Sequence, residues 1–348
     1  MDGMPNVNAY MIDSATSTFH KGVVTRREPG PTEVLIDIKF AGICHSDIHT
    51  ARGEWGPATY PLVPGHEIAG IVTQIGSGVT KFTVGDRVGV GCFIDSCGDC
   101  AQCDLDREMF CDEAIFTYND TGRDGLPTIG GYSKAITVEQ DYVCRIANAL
   151  PLDQAAPLLC AGITLYSPLR RWGAGEGKQV AIVGLGGLGH VGVKLAHAMG
   201  AEVSVISQTM AKEADGLAFG ASHYYAISEP GVLKSLRRRF DLIISTVSTA
   251  TDLTPYIACL TMGGVFVNVG LPEHKSEVDL GRLCVGNRIL AGSQIGGIAE
   301  TQEMLDFCAE HGVVPQIEVI SGEDINDAYD KVVNSAVRYR YVIDTATF

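Results

Sequence analysis

Cys97, Cys100, Cys103 and Cys111 fall within one 15-residue stretch, spaced Cys-x2-Cys-x2-Cys-x7-Cys. Four thiolates brought round one point by a tight loop suit a closed tetrahedral zinc site with no place for substrate. An iron–sulfur cluster is the runner-up. Its common bacterial run has three residues before the fourth cysteine, with a proline after it, and here there are seven. A disulfide pair would need an oxidising compartment, and nothing in the sequence suggests one. A metal bound here would supply folding energy to a lobe with little apolar core of its own.

A second set is dispersed. Cys44-His45-Ser46-Asp47-Ile48-His49 holds a thiol, two imidazoles, a hydroxyl and an acid in six residues. Gly65-His66-Glu67 follows, and Cys160 sits much later in Leu159-Cys160-Ala161-Gly162. A catalytic zinc needs about three protein ligands and one open position. Cys44, His66 and Cys160 can supply sulfur, nitrogen and sulfur, but residue type alone does not select them from the other cysteines and histidines. Taken alone, Cys160 reads as a small core hydrophobe.

Gly184-Leu185-Gly186-Gly187-Leu188-Gly189 follows an apolar strand and opens a helix. In that setting a G-x-G-x-x-G string is the turn of a dinucleotide site. Its first glycine makes the turn, its second admits the pyrophosphate and its third lets helix pack on sheet. The helix N-terminus then meets the phosphates. The next strand, Glu202-Val203-Ser204-Val205-Ile206, runs into Ser207-Gln208-Thr209 with no acid at its tip, and Lys212 follows. Hydroxyls and a cation suit the extra phosphate of NADP, whereas NAD sites usually carry an acid there. The plainer reading makes Ser207 and Thr209 helix caps and Lys212 a solvated lysine.

These residues need two kinds of scaffold. Residues 1–150 read as strand and turn, with β-rich runs at 34–40, 68–75 and 86–90 broken by Gly and Pro, and a polar loop at 119–131. The pattern changes near Pro151. A helix broken or bent by two prolines is expected over 152–171, then strands at 179–183, 203–206, 223–226, 240–246, 265–269 and 288–292. Helices at 187–199 and 211–219 alternate with them. That alternation predicts a doubly wound, largely parallel sheet. The tail gives helices at 301–311 and 324–333 and strands at 316–320 and 339–343.

At 348 residues the chain makes roughly two domains of about 150. Its charge is 26 − 41 = −15, which argues against nucleic acid or an anionic membrane as a partner. Eleven cysteines are too sparse for a disulfide scaffold and enough for metal sites. No signal peptide and no run of about 18 apolar residues is visible, so a cytoplasmic protein is expected.

Together, Gly42-Ile43-Cys44-His45-Ser46-Asp47, Val63-Pro64-Gly65-His66-Glu67, the loop from Cys97 to Cys111, Leu158-Leu159-Cys160-Ala161-Gly162-Ile163-Thr164 and Gly184–Gly189 resemble the zinc-dependent medium-chain alcohol dehydrogenases, in their cinnamyl-alcohol-dehydrogenase-like branch. The resemblance runs nearly end to end. It implies an α/β chain with a chaperonin-like (GroES-like) irregular β catalytic domain, residues 1–152 and 296–348. A Rossmann-type cofactor domain, residues 153–295, is inserted in it. It implies two zinc ions per subunit, NADP(H), and the interconversion of primary aromatic or medium aliphatic alcohols and aldehydes. NADPH use leans toward aldehyde reduction. The family is commonly dimeric, sometimes tetrameric, and an edge strand near 288–292 could pair with a twin subunit.

By the same resemblance Cys44, His66 and Cys160 hold the catalytic zinc, and Glu67 is the acid beside it, able to enter the coordination shell in passing. Asp47 orients His66. Ser46 takes the alcohol proton and His49 passes it outward. His45, Ser207, Thr209 and Lys212 lie at the cofactor phosphates, although Gln208 interrupts the branch's usual hydroxyl-rich stretch. Plainer readings stand beside these: His49 a surface histidine, His45 a structural hydrogen-bonder, Glu67 a salt-bridge partner. Trp55, Ile94, Phe116 and Ile295 are candidates for the pocket wall and equally for ordinary core. Cys92, Cys144, Cys259, Cys284 and Cys308 have no assigned role. The competing readings are an NAD-dependent alcohol or polyol dehydrogenase of the same superfamily, a zinc-independent reductase, and a non-enzymatic NADP-binding protein. Polyol enzymes tend to carry a carboxylate where Cys160 stands, and a zinc-independent reductase would lack the ligands.

Overall fold

A computed structural model describes residues 6–272 and 274–348. The chain divides into two compact units, one reaching to Cys160 and resuming at Gly296–Phe348, the other Ala161–Ile295. The first boundary falls after Cys160 rather than after residue 152. The segment Leu152–Leu159 packs on strands of the first unit, and Leu159 fills the space over Gly89.

The first unit is built on a seven-stranded sheet. Its central strand, Glu33–Gly42, pairs antiparallel with Ile68–Ile75 on one side and with Ala135–Glu139 and Arg340–Asp344 on the other. The tail of the chain therefore completes the sheet begun near residue 33. Along Val34-Leu35-Ile36-Asp37-Ile38 the apolar residues are buried, three of them in succession, and Asp37 is only half-buried, so both faces of this strand are covered here. Below the sheet lies an aromatic core that includes Tyr10, Phe19, Tyr118, Tyr132, Tyr329 and Phe348. The expected runs at 34–40, 68–75 and 86–90 are all strands, and 119–131 is loop apart from one isolated bridge, Thr121 with Pro127. The hairpin Asn6–Met11 with His20–Thr25 carries no strong alternation and is not legible from the sequence.

The second unit holds six parallel strands in the spatial order His223–Ala226, Glu202–Ser207, Gln179–Val183, Phe240–Ser245, Leu260–Asn268, Ile289–Gly292. Numbered along the chain this is 3-2-1-4-5-6, the doubly wound dinucleotide-binding order. Its inner strands are apolar runs because both faces are covered: Val180, Ala181 and Ile182 are fully buried. The helix after the glycine turn starts at Gly189 rather than 187, since the glycines before it are spent on the turn. The expected helix at 152–171 is three pieces, Leu152–Ala155, Ala156–Leu159 and Ala161–Arg171, with Cys160 at the break. Pro157 ends the first piece; Pro168 is accommodated inside the last. Among the described residues no helix is long and apolar enough to cross a membrane.

Candidate active site

The short helix His45–Ala51 begins with Cys44 as its N-cap, and Asp47 takes the third helical position. The Asp47 carboxylate accepts from Cys44 N at 2.9 Å, which ties the start of the helix. It also accepts from Gly65 N at 3.1 Å and His66 Nδ1 at 2.9 Å. One fully buried acid thus fixes the loop with Cys44 and the loop with His66 together. Because Nδ1 donates to Asp47, Nε2 of His66 is the nitrogen free to bind a metal.

Cys160 arrives from the helix break. Its Sγ lies 3.9 Å from Cys44 Sγ. Cys44, His66, Glu67 and Cys160 are all buried and their ligand atoms lie within 4.8 Å of one another. The hydrogen bond from Cys160, helped by the charge of His66, pulls the Cys44 thiol well below its usual range despite burial. Ser46 Oγ lies 3.6 Å from Cys44 Sγ, beside the cluster.

Glu67 forms a buried ion pair with Arg340 from the tail strand. Burial pushes its carboxyl up, to about 7, against the pull of Arg340. Its Oε2 is buried without a hydrogen-bond partner among the described residues. A group of two thiols, one oriented imidazole nitrogen and one unpaired buried oxygen fits a zinc ion. The salt-bridge reading of Glu67 and the reading as the acid beside the metal therefore describe its two oxygens. Gly42 makes this possible: a Cβ there would lie 2.0 Å from Glu67 Oε2. Gly42→Ala is expected to displace this ion pair and destabilise the fold by about 3 kcal/mol or more. Urea denaturation measures it; a loss within about 0.5 kcal/mol, the surface-substitution range, rejects the claim.

His49 Nδ1 hydrogen-bonds Glu54, and Trp55 stacks on the imidazole at 4.8 Å between centroids. His45 is exposed, 6.1 Å from His49 between ring centroids. Partial loss of hydration holds the His45 imidazole below its usual value. Glu54 was not legible beforehand, because an exposed-looking Glu five residues after a histidine has no helical or strand signature. Cys92 belongs to the same surroundings: Cys160 and the charge of His66 hold its thiol below the usual value despite burial. Of the other unassigned cysteines, Cys144, Cys259 and Cys308 are buried and Cys284 is exposed. Trp55 and Phe116 are largely exposed, at 47% and 44%. Ile94 is half-buried and lies on the same two-stranded ladder as Phe116, while Ile295 is buried in the second unit.

Cys97, Cys100, Cys103 and Cys111 also bring their sulfurs within 4.8 Å. The separations of 3.5 to 3.9 Å between neighbours are far beyond a disulfide bond of about 2.05 Å. Cys97 N and Glu113 N donate to Cys111 Sγ at 3.5 and 3.3 Å, and Ser96 Oγ lies 3.1 Å from Cys103 Sγ. Donors aimed at sulfur are the surroundings thiolates require, so this loop too fits zinc.

In the second unit the glycine turn is as expected. Gly184 takes φ +93°, and a Cβ on Gly189 would lie 1.8 Å from the Gly184 carbonyl oxygen. A Cβ on Gly186 would meet open space, leaving that face clear for a ligand. Lys212 Nζ donates to Leu185 O at 3.0 Å, so its charge sits against the turn. Thr209 caps the short helix Met210–Lys212 through its side chain, and Ser207 ends its strand half-buried. His190 is fully buried, its Nδ1 on Gly186 O at 3.1 Å, which is packing at the helix start.

Comparison with known proteins agrees with this geometry. Residues 30–148 match the alcohol dehydrogenase GroES-like domain and residues 187–310 the zinc-binding dehydrogenase family. The NADP-dependent alcohol dehydrogenase C of Mycobacterium tuberculosis is 60% identical over 98% of this chain and 99% of its own. The chain belongs to the zinc-dependent medium-chain dehydrogenase/reductase family. Among solved structures, a cinnamyl alcohol dehydrogenase of Sorghum bicolor superposes with a TM-score of 0.95 at 40% identity, covering 98% of each chain. The CAD of Helicobacter pylori complexed with NADP(H) gives 0.93 at 44%, covering 99% of each. As a member of this family, the chain is a zinc-dependent, NAD(P)-linked alcohol/aldehyde oxidoreductase.

Proposed function

We propose that this enzyme reduces aromatic and medium aliphatic aldehydes with NADPH, and oxidises the corresponding primary alcohols in reverse. The observation that carries it is the convergence of Cys44, His66, Glu67 and Cys160 within 4.8 Å, with Asp47 behind His66. Cys44, His66 and Cys160 would hold the catalytic zinc, and the four-cysteine loop the structural one. When bound, the zinc supplies a Lewis acid for the substrate oxygen and the nicotinamide carries the hydride. Asp47 fixes the tautomer of His66 and keeps its Nε2 aimed at the metal. Ser46 gives its proton to the substrate oxygen during reduction, and His49, oriented by Glu54, resupplies it from solvent. Trp55, stacked on His49, offers an aromatic surface to the substrate, with Ile94 and Phe116 as further wall residues.

The second unit would carry the cofactor, its pyrophosphate on the turn from Gly184 to Gly189. NADP is favoured because the strand Glu202–Ser207 ends without an acid and Lys212 lies against Leu185. We take the working form as a cytoplasmic homodimer joined along the outer strand Ile289–Gly292, where Ile289 and Leu290 are exposed.

Lys212→Ala is expected to lower the ratio of kcat/KM with NADPH to that with NADH by about tenfold or more, the loss of one charge-assisted hydrogen bond. An unchanged ratio rejects the phosphate role of Lys212. The reading as a whole is tested with a panel of aldehydes, benzaldehyde and cinnamaldehyde among them, assayed with NADPH and NADH side by side. Turnover with NADPH is expected. No turnover by the zinc-loaded protein, or a preference for NADH, overturns it.

A further inference from the structure

The opposite end of the second unit's sheet carries a second charged feature. Arg237 and Arg238 lie in the loop entering the strand Phe240–Ser245. Arg288 immediately precedes the strand Ile289–Gly292, and Arg282 lies on the helix Leu280–Gly286. The four side chains line one cavity of about 250 Å³, with Asp279 as the acid in its wall. This cavity faces the N-terminal ends of the parallel strands, whereas the glycine turn follows the C-terminal end of Gln179–Val183. It is therefore a different place from the cofactor turn.

Four guanidiniums against one carboxylate leave the cavity about three charges positive, on a chain whose net charge is −15. The arrangement is held rigidly. Arg288 donates to the carbonyls of Leu260, Thr261 and Arg282 and serves as the floor. Burial and the charges of Arg238, Arg237 and Arg282 hold it below its ordinary value. The backbone N–H groups of Arg238 and Arg239 donate to Ala258 O and Cys259 O at 3.1 and 2.8 Å, which anchors the loop. Arg238 sits at φ +58°, a left-handed conformation that a long side chain seldom takes. Arg237 and Arg238 are exposed, and their side chains make no hydrogen bond or ion pair among the described residues. Arg282 reaches Asp279 only at 3.7 Å.

We propose that this cavity binds a small phosphorylated anion. Arginine forks match phosphate oxygens in pairs, and a dianion answers a threefold positive site better than a carboxylate does. A volume of about 250 Å³ is below the range of roughly 300–1,000 Å³ typical of drug-sized ligands. It admits a pyrophosphate or a short phosphorylated compound and excludes a dinucleotide.

The test is calorimetric titration of pyrophosphate into the enzyme saturated with NADP⁺, at about 0.15 M ionic strength. Saturation fills the cofactor phosphate positions. Whether NADP⁺ binds is itself read in the same cell, so failure of the cofactor reading shows separately. One pyrophosphate per subunit is expected. Arg238→Gly removes a guanidinium at a φ that glycine takes freely, and Arg237→Ala removes the other without touching the floor. Each is expected to weaken binding about tenfold while thermal unfolding and aldehyde turnover stay unchanged. Binding weaker than about 1 mM, or binding indifferent to both variants, overturns the proposal. So does a result in which the variants split the oligomer and pyrophosphate has no effect, since the arginines then meet a second copy of the chain.

Discussion

Cys160→Ala is expected to strip one zinc from each subunit and to lower kcat/KM at least about a thousandfold, the scale set by losing a Lewis acid worth several kcal/mol. Cys160 Sγ is 3.9 Å from Cys44 Sγ, and with His66 they are the nitrogen and sulfur donors of the buried cluster. Removing one leaves a thiol and an imidazole, too few for a tight tetrahedral site, and Glu67 is tied on one oxygen by Arg340. The fold should survive. Alanine keeps a small residue at the helix break, and the backbone bond from Cys160 N to Pro157 O does not involve the side chain. Metal content per subunit should fall by one, with the four-cysteine loop still loaded. Circular dichroism should stay the same. Full activity, or a full metal complement, would remove Cys160 from the ligand set.

How much of this was readable beforehand depends on what kind of physics placed each residue. The parallel sheet was readable because buried strands are apolar runs, and the glycine turn because backbone geometry dictates its glycines. The four-cysteine loop was readable because its ligands are local. The catalytic cluster is long-range: Cys44, His66 and Cys160 meet only because Asp47 bonds two loops and a helix breaks at Cys160. No periodicity announces that, and resemblance carried the assignment. The helix His45–Ala51 was hidden by its polar residues, of which only Asp47 is buried, and that one is held by hydrogen bonds rather than apolar packing. Arg340 was invisible for the same reason. A lone arginine in the tail strand says nothing until the strand pairs with Glu33–Gly42 and sets it against Glu67. Glu54 joins the site through a single contact that spacing does not encode. The hydroxyls proposed for the cofactor phosphate show the converse. Their spacing looked purposeful, yet Thr209 spends an oxygen on capping, which leaves Lys212 as the member of that set to test first.

Cys103→Ala is expected to give the reverse pattern: catalytic zinc retained, structural zinc lost, and the lobe around residues 97–111 unfolded. The short helical turns Cys103–Leu105 and Glu108–Phe110 bury none of their residues, and Leu105 and Phe110 are 58% and 48% exposed. Hydrophobic burial therefore contributes little here. Structural zinc contributes about 10–16 kcal/mol in small zinc modules, as much as the whole stability of an ordinary domain. Loss of one thiolate from four forfeits most of that. It also takes one of two partners from Ser96, whose hydroxyl bridges Cys103 Sγ and Tyr142 Oη at 3.1 and 2.7 Å. Ser96 and Tyr142 are buried, so the disturbance reaches the sheet through Tyr142, packed edge-on against Phe93. Limited proteolysis with mass spectrometry should find new cuts between residues 97 and 111, and thermal unfolding should begin earlier. The site where Asp47 holds His66 shares no ligand with this loop, so residual activity should track the remaining zinc at low temperature. A Cys103→Ala protein with both metals bound and no new cleavage would mean that the loop folds on its own side chains, and that its four cysteines do not share a zinc.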